Sequence, residues 1–172
     1  MHNRTHHLAE LAVFTAVAFL FSYIESLFPL PIPFPGIKLG FANLVILIVL
    51  CRNGIKDAFG VSMVRNVLNA LTFGSLFGFL YSLAGSILSL AAMALLFYRK
   101  KHPQLSLISI SAVGGIIHNM GQFIVAVVLT GGSAILPYLP FLYFAGLITG
   151  VLIGILSHFC LQRLPHSISN KN

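Results

Sequence analysis

Apolar residues run along this chain in long blocks separated by short turns. Six blocks stand out: Leu8–Leu27, Ile37–Cys51, Ile55–Phe73, Leu76–Tyr98, Leu105–Thr130 and Tyr138–Leu161. A helix needs about 20 mostly apolar residues to cross a bilayer. The pattern therefore predicts an all-α integral membrane protein, a six-transmembrane-helix bundle forming one transmembrane domain over residues 1–172, with no linker. The second block is short, and polar residues interrupt the third. The connections have turn composition: the proline-rich "FPLPIPFPG" from Phe28 to Gly36, "CRNGIK", "RKKHP", and the Gly/Pro loop "TGGSAILPYLP". Prolines at that density cannot be helical throughout. Arg4 ahead of an apolar run imitates a signal peptide. The run to Leu27 is longer than an h-region of about 7–15 residues, and it is assigned as the first span.

Composition agrees with the pattern. The chain is 58% hydrophobic and 8% charged, against roughly 25% charged in soluble domains. The formal charge of +7, from 10 Lys/Arg and 3 Asp/Glu, would suggest a nucleic-acid partner in a soluble protein. In a membrane protein it reads as topology. With the N-terminus in the cytoplasm, the inner segments collect Arg4, Arg52, Lys56, Arg99, Lys100, Lys101, Arg163 and Lys171, and the outer loops only Lys38. The positive-inside rule favours that orientation, which places both termini in the cytoplasm of a multi-pass plasma-membrane protein. Cys51 and Cys160 fall near inner helix ends, where thiols stay reduced, and without close histidines they form no zinc site.

Helices in lipid associate through close backbone approach rather than the hydrophobic effect. The fourth block carries Gly78, Ser82, Gly85, Ser89 and Ala92 at steps of three and four, which share one helix face and predict packing inside the bundle. Ala12 and Ala16 make a smaller pair that could face another helix or a partner subunit.

Polar residues inside the spans carry the candidate chemistry, because ionisable groups within a membrane mark function by default. Glu25 ends the first span. Lys38 and Asn43 lie at the start of the second. Arg65, Asn66 and Asn69 interrupt the third, and His118, Asn119 and Gln122 the fifth. "RNVLN" and "HNMGQ" each place an amide four residues after a basic or imidazole side chain, on one helix face. At 1.5 Å per residue, Arg65 lies about 15 Å and His118 about 20 Å from the inner end of its helix. Both clusters thus fall between mid-membrane and the outer half, as one polar chamber would. Glycines 114, 115 and 121 beside it admit a ligand or another helix. If Glu25 pairs with Lys38 or Arg65, one positive charge is left over, which suits a solute with a carboxylate or phosphate.

Among function classes, no enzyme motif stands out: there is no G-x-S-x-G, no paired carboxylates and no phosphate loop. The absence of a nucleotide motif argues against a self-powered pump, and no ring of charges suggests a channel. A solute-binding membrane subunit needs a polar chamber, a covering loop and a docking surface. The clusters, the loops Phe28–Gly36 and Gly131–Pro140, and Ala12/Ala16 are candidates for each.

"PFPGIKLGFANLVIL", Pro33 to Leu47, and "GGIIHNMGQ", Gly114 to Gln122, resemble the Gx transporter family, often labelled heptaprenyl diphosphate synthase component I and similar to the substrate-binding S components of energy-coupling factor (ECF) transporters. The resemblance implies six helices, capture of a small solute from outside, and docking on a transmembrane T component driven by two ATPase subunits. No cofactor of the chain's own is implied, ATP acting only through those subunits. In S components an Ala-x-x-x-Ala pattern on the first helix contacts the T component, and Ala12 and Ala16 match it. The motif residues carried over are Lys38, Asn43, His118, Asn119 and Gln122. The synthase label conflicts with the residues. Prenyl elongation holds diphosphate through magnesium, which wants carboxylates, and the three acids Glu10, Glu25 and Asp57 are far apart in sequence. A role beside a prenyl synthase in isoprenoid-quinone synthesis, and a solitary secondary transporter, remain the alternative readings.

Overall fold

The computed structural model describes residues 2–27, 38, 40–73, 76–98, 106–131 and 133–164. Each apolar block contains a helix: α1 His2–Leu27, α2 Asn43–Arg52, α3 Ile55–Phe73, α4 Leu76–Tyr98, α5 Leu107–Thr130 and α6 Leu139–Arg163. A 3-10 turn over Ser133–Tyr138 leads into α6. The described residues are all-α, as the periodicity predicts. The Phe28–Gly36 loop lies outside them, whereas the second candidate cover is that 3-10 turn, with Ile135 buried.

Four helices, α1, α4, α5 and α6, are long and apolar enough to cross a membrane. The other two are the block expected to be short and the block expected to be interrupted. α3 has 19 residues, but its charged and amide side chains lower its apolarity. α2 has only 10 and reaches about 15 Å, half the thickness of a hydrocarbon core. It begins at Asn43 rather than Ile37 because Gly40 adopts φ +91°, a conformation helices exclude and glycine tolerates. Gly40 then turns the chain into the helix, its carbonyl accepting from Asn43 N at 2.9 Å. Lys38 consequently sits in a non-helical lead-in.

Every residue of α2 from Asn43 to Leu50 is buried. A helix apolar on all sides belongs in the middle of a bundle, and α2 forms the centre of the main core with Ala18, Ala58, Val61, Met93, Ile110 and Ile153. Its far end is fastened. Asn53 N and Gly54 N both donate to Val49 O, Arg52 Nη2 meets Glu10 Oε1 at 2.7 Å, His7 Nε2 meets Asp57 Oδ2 at 3.2 Å, and Ile55 N donates to Tyr98 Oη. Two of the chain's three acids are thus engaged at this end, where Cys51 and Cys160, neither of them in a disulfide, also pack on the core.

The small-residue face of α4 packs on α5, with Ser82, Gly85 and Ser89 buried. Ser89 Oγ donates to Gly114 O at 2.8 Å, and a Cβ on Gly121 would stand 3.0 Å from Ala84 O. A second seam, which the sequence reading did not single out, joins α5 to α6. Gly146, Gly150 and Gly154 form a row at steps of four. A Cβ on Gly115 would overlap the Gly146 carbonyl, and one on Gly150 would stand 2.6 Å from Ser111 O. Backbone-to-backbone approach of this kind is how helices associate in lipid.

The outer surface is apolar. Leu71 is 78% exposed, Val128 73% and Leu8 65%, while Arg65, Asn119 and Gln122 are buried. Polar inside and apolar outside is the inverse of a water-soluble protein and suits lipid as the solvent.

Candidate functional site

α3 supplies one wall. Ser62, Arg65, Asn66 and Asn69, at steps of three and four along one side of the helix, are all buried. The Arg65 guanidinium ties three helices together: Nη1 donates to Ser22 Oγ on α1 at 3.2 Å, and Nη2 to Asn66 Oδ1 at 2.7 Å and to Ser86 Oγ on α4 at 2.6 Å. Ser86 Oγ in turn donates to Ser82 O. A buried charge is tolerable only when it is hydrogen-bonded, and the serines do this at little volume.

The lead-in to α2 supplies a second wall and is clipped on two sides. Gly40 N donates to Glu25 Oε1 on α1. Lys38 N donates to Gln122 Oε1 at 2.8 Å, and Gln122 Nε2 donates back to Lys38 O at 2.9 Å. Glu25, Lys38 and Arg65 interact electrostatically, and Arg65 acts on His118 as well. The imidazole of His118 stands between two glycines. A Cβ on Gly40 would lie 2.9 Å from Cδ2 and 3.1 Å from Nε2, and one on Gly85 would lie 2.9 Å from Cε1 and Nδ1. Asn43 Nδ2 would be 3.1 Å from that same Cβ on Gly40, so the N-terminus of α2 belongs to the cluster.

The structure therefore brings together Glu25, Lys38, Asn43, Arg65, Asn66, Asn69, His118 and Gln122. Asn119 is turned away. Its Nδ2 donates to Leu142 O at 2.8 Å and it closes the α5–α6 seam, because it follows His118 by one residue, about 100° around the helix. Glycines 114, 115 and 121 serve helix approach. Ser22, Ser62, Ser86 and Gly40 belong to the cluster although the sequence did not single them out, and Ser82, read there as a packing residue, accepts from Ser86 Oγ through its carbonyl. Ser62 could have been found by extending the Arg65–Asn69 face back one turn. Ser22 and Ser86 carry no such signal.

Several polar atoms in this cluster have neither solvent nor a hydrogen-bond partner: Asn43 Nδ2, Ser62 Oγ, Arg65 Nε, Asn66 Nδ2, and Asn69 Nδ2 and Oδ1. An unsatisfied buried group costs about 1–3 kcal/mol. Such groups are scattered in ordinary cores, and a concentration of them calls for an explanation. Five of these six atoms belong to four residues, Ser62, Arg65, Asn66 and Asn69, at neighbouring positions of one face of α3.

Ala12 and Ala16 are elsewhere. Both are exposed on α1 and line a groove of about 500 Å³ between α1 and α3, with Gly60, Val64 and Leu68 on the opposite wall and Lys56 and Asp57 among its residues.

An apolar helical shell around a buried polar cluster, with four helices long and apolar enough to cross a bilayer, is consistent with a helical membrane protein. Within that class, the chain belongs to the family described as heptaprenyl diphosphate synthase component I, whose model matches residues 14–160. The match includes both motifs that carried the resemblance in the sequence. No curated protein and no solved structure matches the chain.

Proposed function

We propose that this chain is the substrate-binding membrane subunit of an ECF-type transporter, capturing a small solute from outside for uptake. The observation that carries the reading is the set of buried, unpartnered polar atoms on α3 and α2 inside an apolar bundle. In this reading the helices cross the plasma membrane as one domain, with both termini in the cytoplasm. α2 acts as a half-length helix within the bundle, and its N-terminal end faces the chamber in the outer half. Lys38, Asn43, Arg65, Asn66, Asn69 and His118 contact the solute. Glu25 and Gln122 hold the lead-in over it. Asn119 fixes the wall behind.

The partners are a T component and two ATPase subunits, which supply the energy; the chain itself uses no cofactor or metal. The α1–α3 groove is the docking surface. Its small residues, Ala12 and Ala16 on one wall and Gly60 on the other, let another helix approach closely, and its position apart from the polar cluster lets a partner bind without displacing the solute.

The family description names a synthase component, and the acids argue against synthase chemistry in this chain. Glu10 is engaged with Arg52, Asp57 with His7, and Glu25 with the Gly40 amide. Magnesium held on a diphosphate needs carboxylates gathered at one place, and these are divided between two ends of the bundle.

The test is to purify the full chain, incubate it with an extract of its own cells, and identify retained small molecules by mass spectrometry. Wild type is expected to retain a solute that the His118→Gln and Asn69→Leu variants lose while staying monodisperse. Equal retention by all three would place the site elsewhere.

A further inference from the structure

The unpartnered atoms are biased in kind. Arg65 Nε is a donor that stays protonated. Asn66 Nδ2 is a donor whose orientation is fixed, since Asn66 Oδ1 already accepts from Arg65. Asn43 Nδ2 and Asn69 Nδ2 are donors, and Ser62 Oγ can donate. Asn69 Oδ1 is the one acceptor-only atom in this cluster that lacks a partner, and His118 Nδ1, also without one, donates or accepts according to its tautomer. Glu25 accepts from the Gly40 amide and offsets part of the positive charge of Arg65 and Lys38, while the other two acids lie at the opposite end, so one carboxylate faces two cations here. Asn43 also sits in the first turn of α2, where the helix dipole favours negative charge. A buried cation ringed by surplus donors is complementary to a group rich in acceptors and carrying negative charge.

We propose that Arg65, Asn66 and Asn69 on α3, together with Asn43 at the N-terminus of α2, bind an oxyanion of the solute, a carboxylate or phosphate group. Arg65 Nε and the three amide nitrogens donate to its oxygens, and Ser62 extends the same row for a second group. The inference rests on the solute-binding reading and gives it a substrate class: acidic small molecules enter this site, and neutral or cationic ones do not.

Asn69 separates binding from folding. Neither polar atom of Asn69 has a protein partner, so the near-isosteric Asn69→Leu breaks no hydrogen bond of the bundle. Arg65→Ala would remove three and is the poorer test. Arg65→Lys keeps the charge and removes the Nε donor.

The experiment is a thermal-shift and calorimetric titration of the purified full chain in nanodiscs. The probes are inorganic phosphate, pyrophosphate and acetate, with acetamide and methylammonium as neutral and cationic controls. Wild type is expected to be stabilised by at least one oxyanion and by neither control. Asn69→Leu is expected to melt no lower than wild type without ligand and to bind that oxyanion roughly 10- to 100-fold more weakly, the effect of losing a hydrogen bond to a charged group. Arg65→Lys should weaken it as well. No response to any oxyanion, an equal response in Asn69→Leu, or equal stabilisation by the controls would overturn the assignment.

Retention of a solute from cell extract distinguishes this failure from failure of the functional reading. A retained neutral or cationic solute sinks the oxyanion inference and leaves the reading intact. An oxyanion response without any retained solute does the reverse.

Discussion

The side-chain amide of Gln122 holds the backbone of Lys38 by both of its ends, accepting from the amide at 2.8 Å and donating to the carbonyl at 2.9 Å. The pair joins residues 84 positions apart in the way one strand pairs with another. It ties the lead-in to α2 against α5 beside the buried polar cluster. Gln122→Leu should release that segment. Two neutral hydrogen bonds are lost and two backbone groups are left without partners, at a cost of about 2–4 kcal/mol. Hydrogen exchange by mass spectrometry is expected to show faster exchange over residues 38–45 and unchanged protection in α6. Uniform protection would mean that the lead-in is held by other contacts.

The glycines make a second prediction because they differ sharply in surroundings. Gly115 has the α6 backbone where its Cβ would go, whereas Gly60, on the exposed side of α3, has nothing within 4 Å. Gly115→Ala should force α5 and α6 apart and lower the melting temperature in detergent, by an amount corresponding to about 2 kcal/mol or more. Gly60→Ala should raise stability by about 0.5–1 kcal/mol, the helix-propensity difference. Equal behaviour of the two variants would contradict the packing described for the α5–α6 seam.

Much of this was legible in the sequence. The boundaries of α3 and α4 follow directly from the apolar blocks, and the helix faces of Arg65/Asn69 and His118/Gln122 are buried inside the bundle as their polarity within apolar blocks suggests. The errors have physical causes. Apolar residues before Asn43 look like helix in a hydropathy reading, and the positive φ of Gly40, with its amide held by Glu25, is a tertiary effect that shortened α2. Asn119 adjoins His118 in sequence, yet helical rotation turned it to Leu142. Ser22 and Ser86 are ordinary serines until Arg65 reaches them from another helix.

The synthase label yields a third prediction. Purified protein given prenyl diphosphates and magnesium should show no chain elongation, because Glu10, Glu25 and Asp57 are committed to three separate contacts. Turnover by the pure chain would overturn this account of the acids.

The central claim is that the chain works as a docked binding subunit, and co-purification tests it most directly. The chain is co-expressed with the T component and ATPases of the same cell, the ATPase is tagged, and the bound fraction is assayed for this protein. A second preparation carries Ala12→Trp and Ala16→Trp, both in the exposed α1–α3 groove, where bulky side chains leave the bundle's own packing alone. The account predicts retention of the wild-type chain and loss of the double variant with its melting temperature unchanged. Absence of the wild-type chain, from a preparation in which known S components are retained, would contradict it.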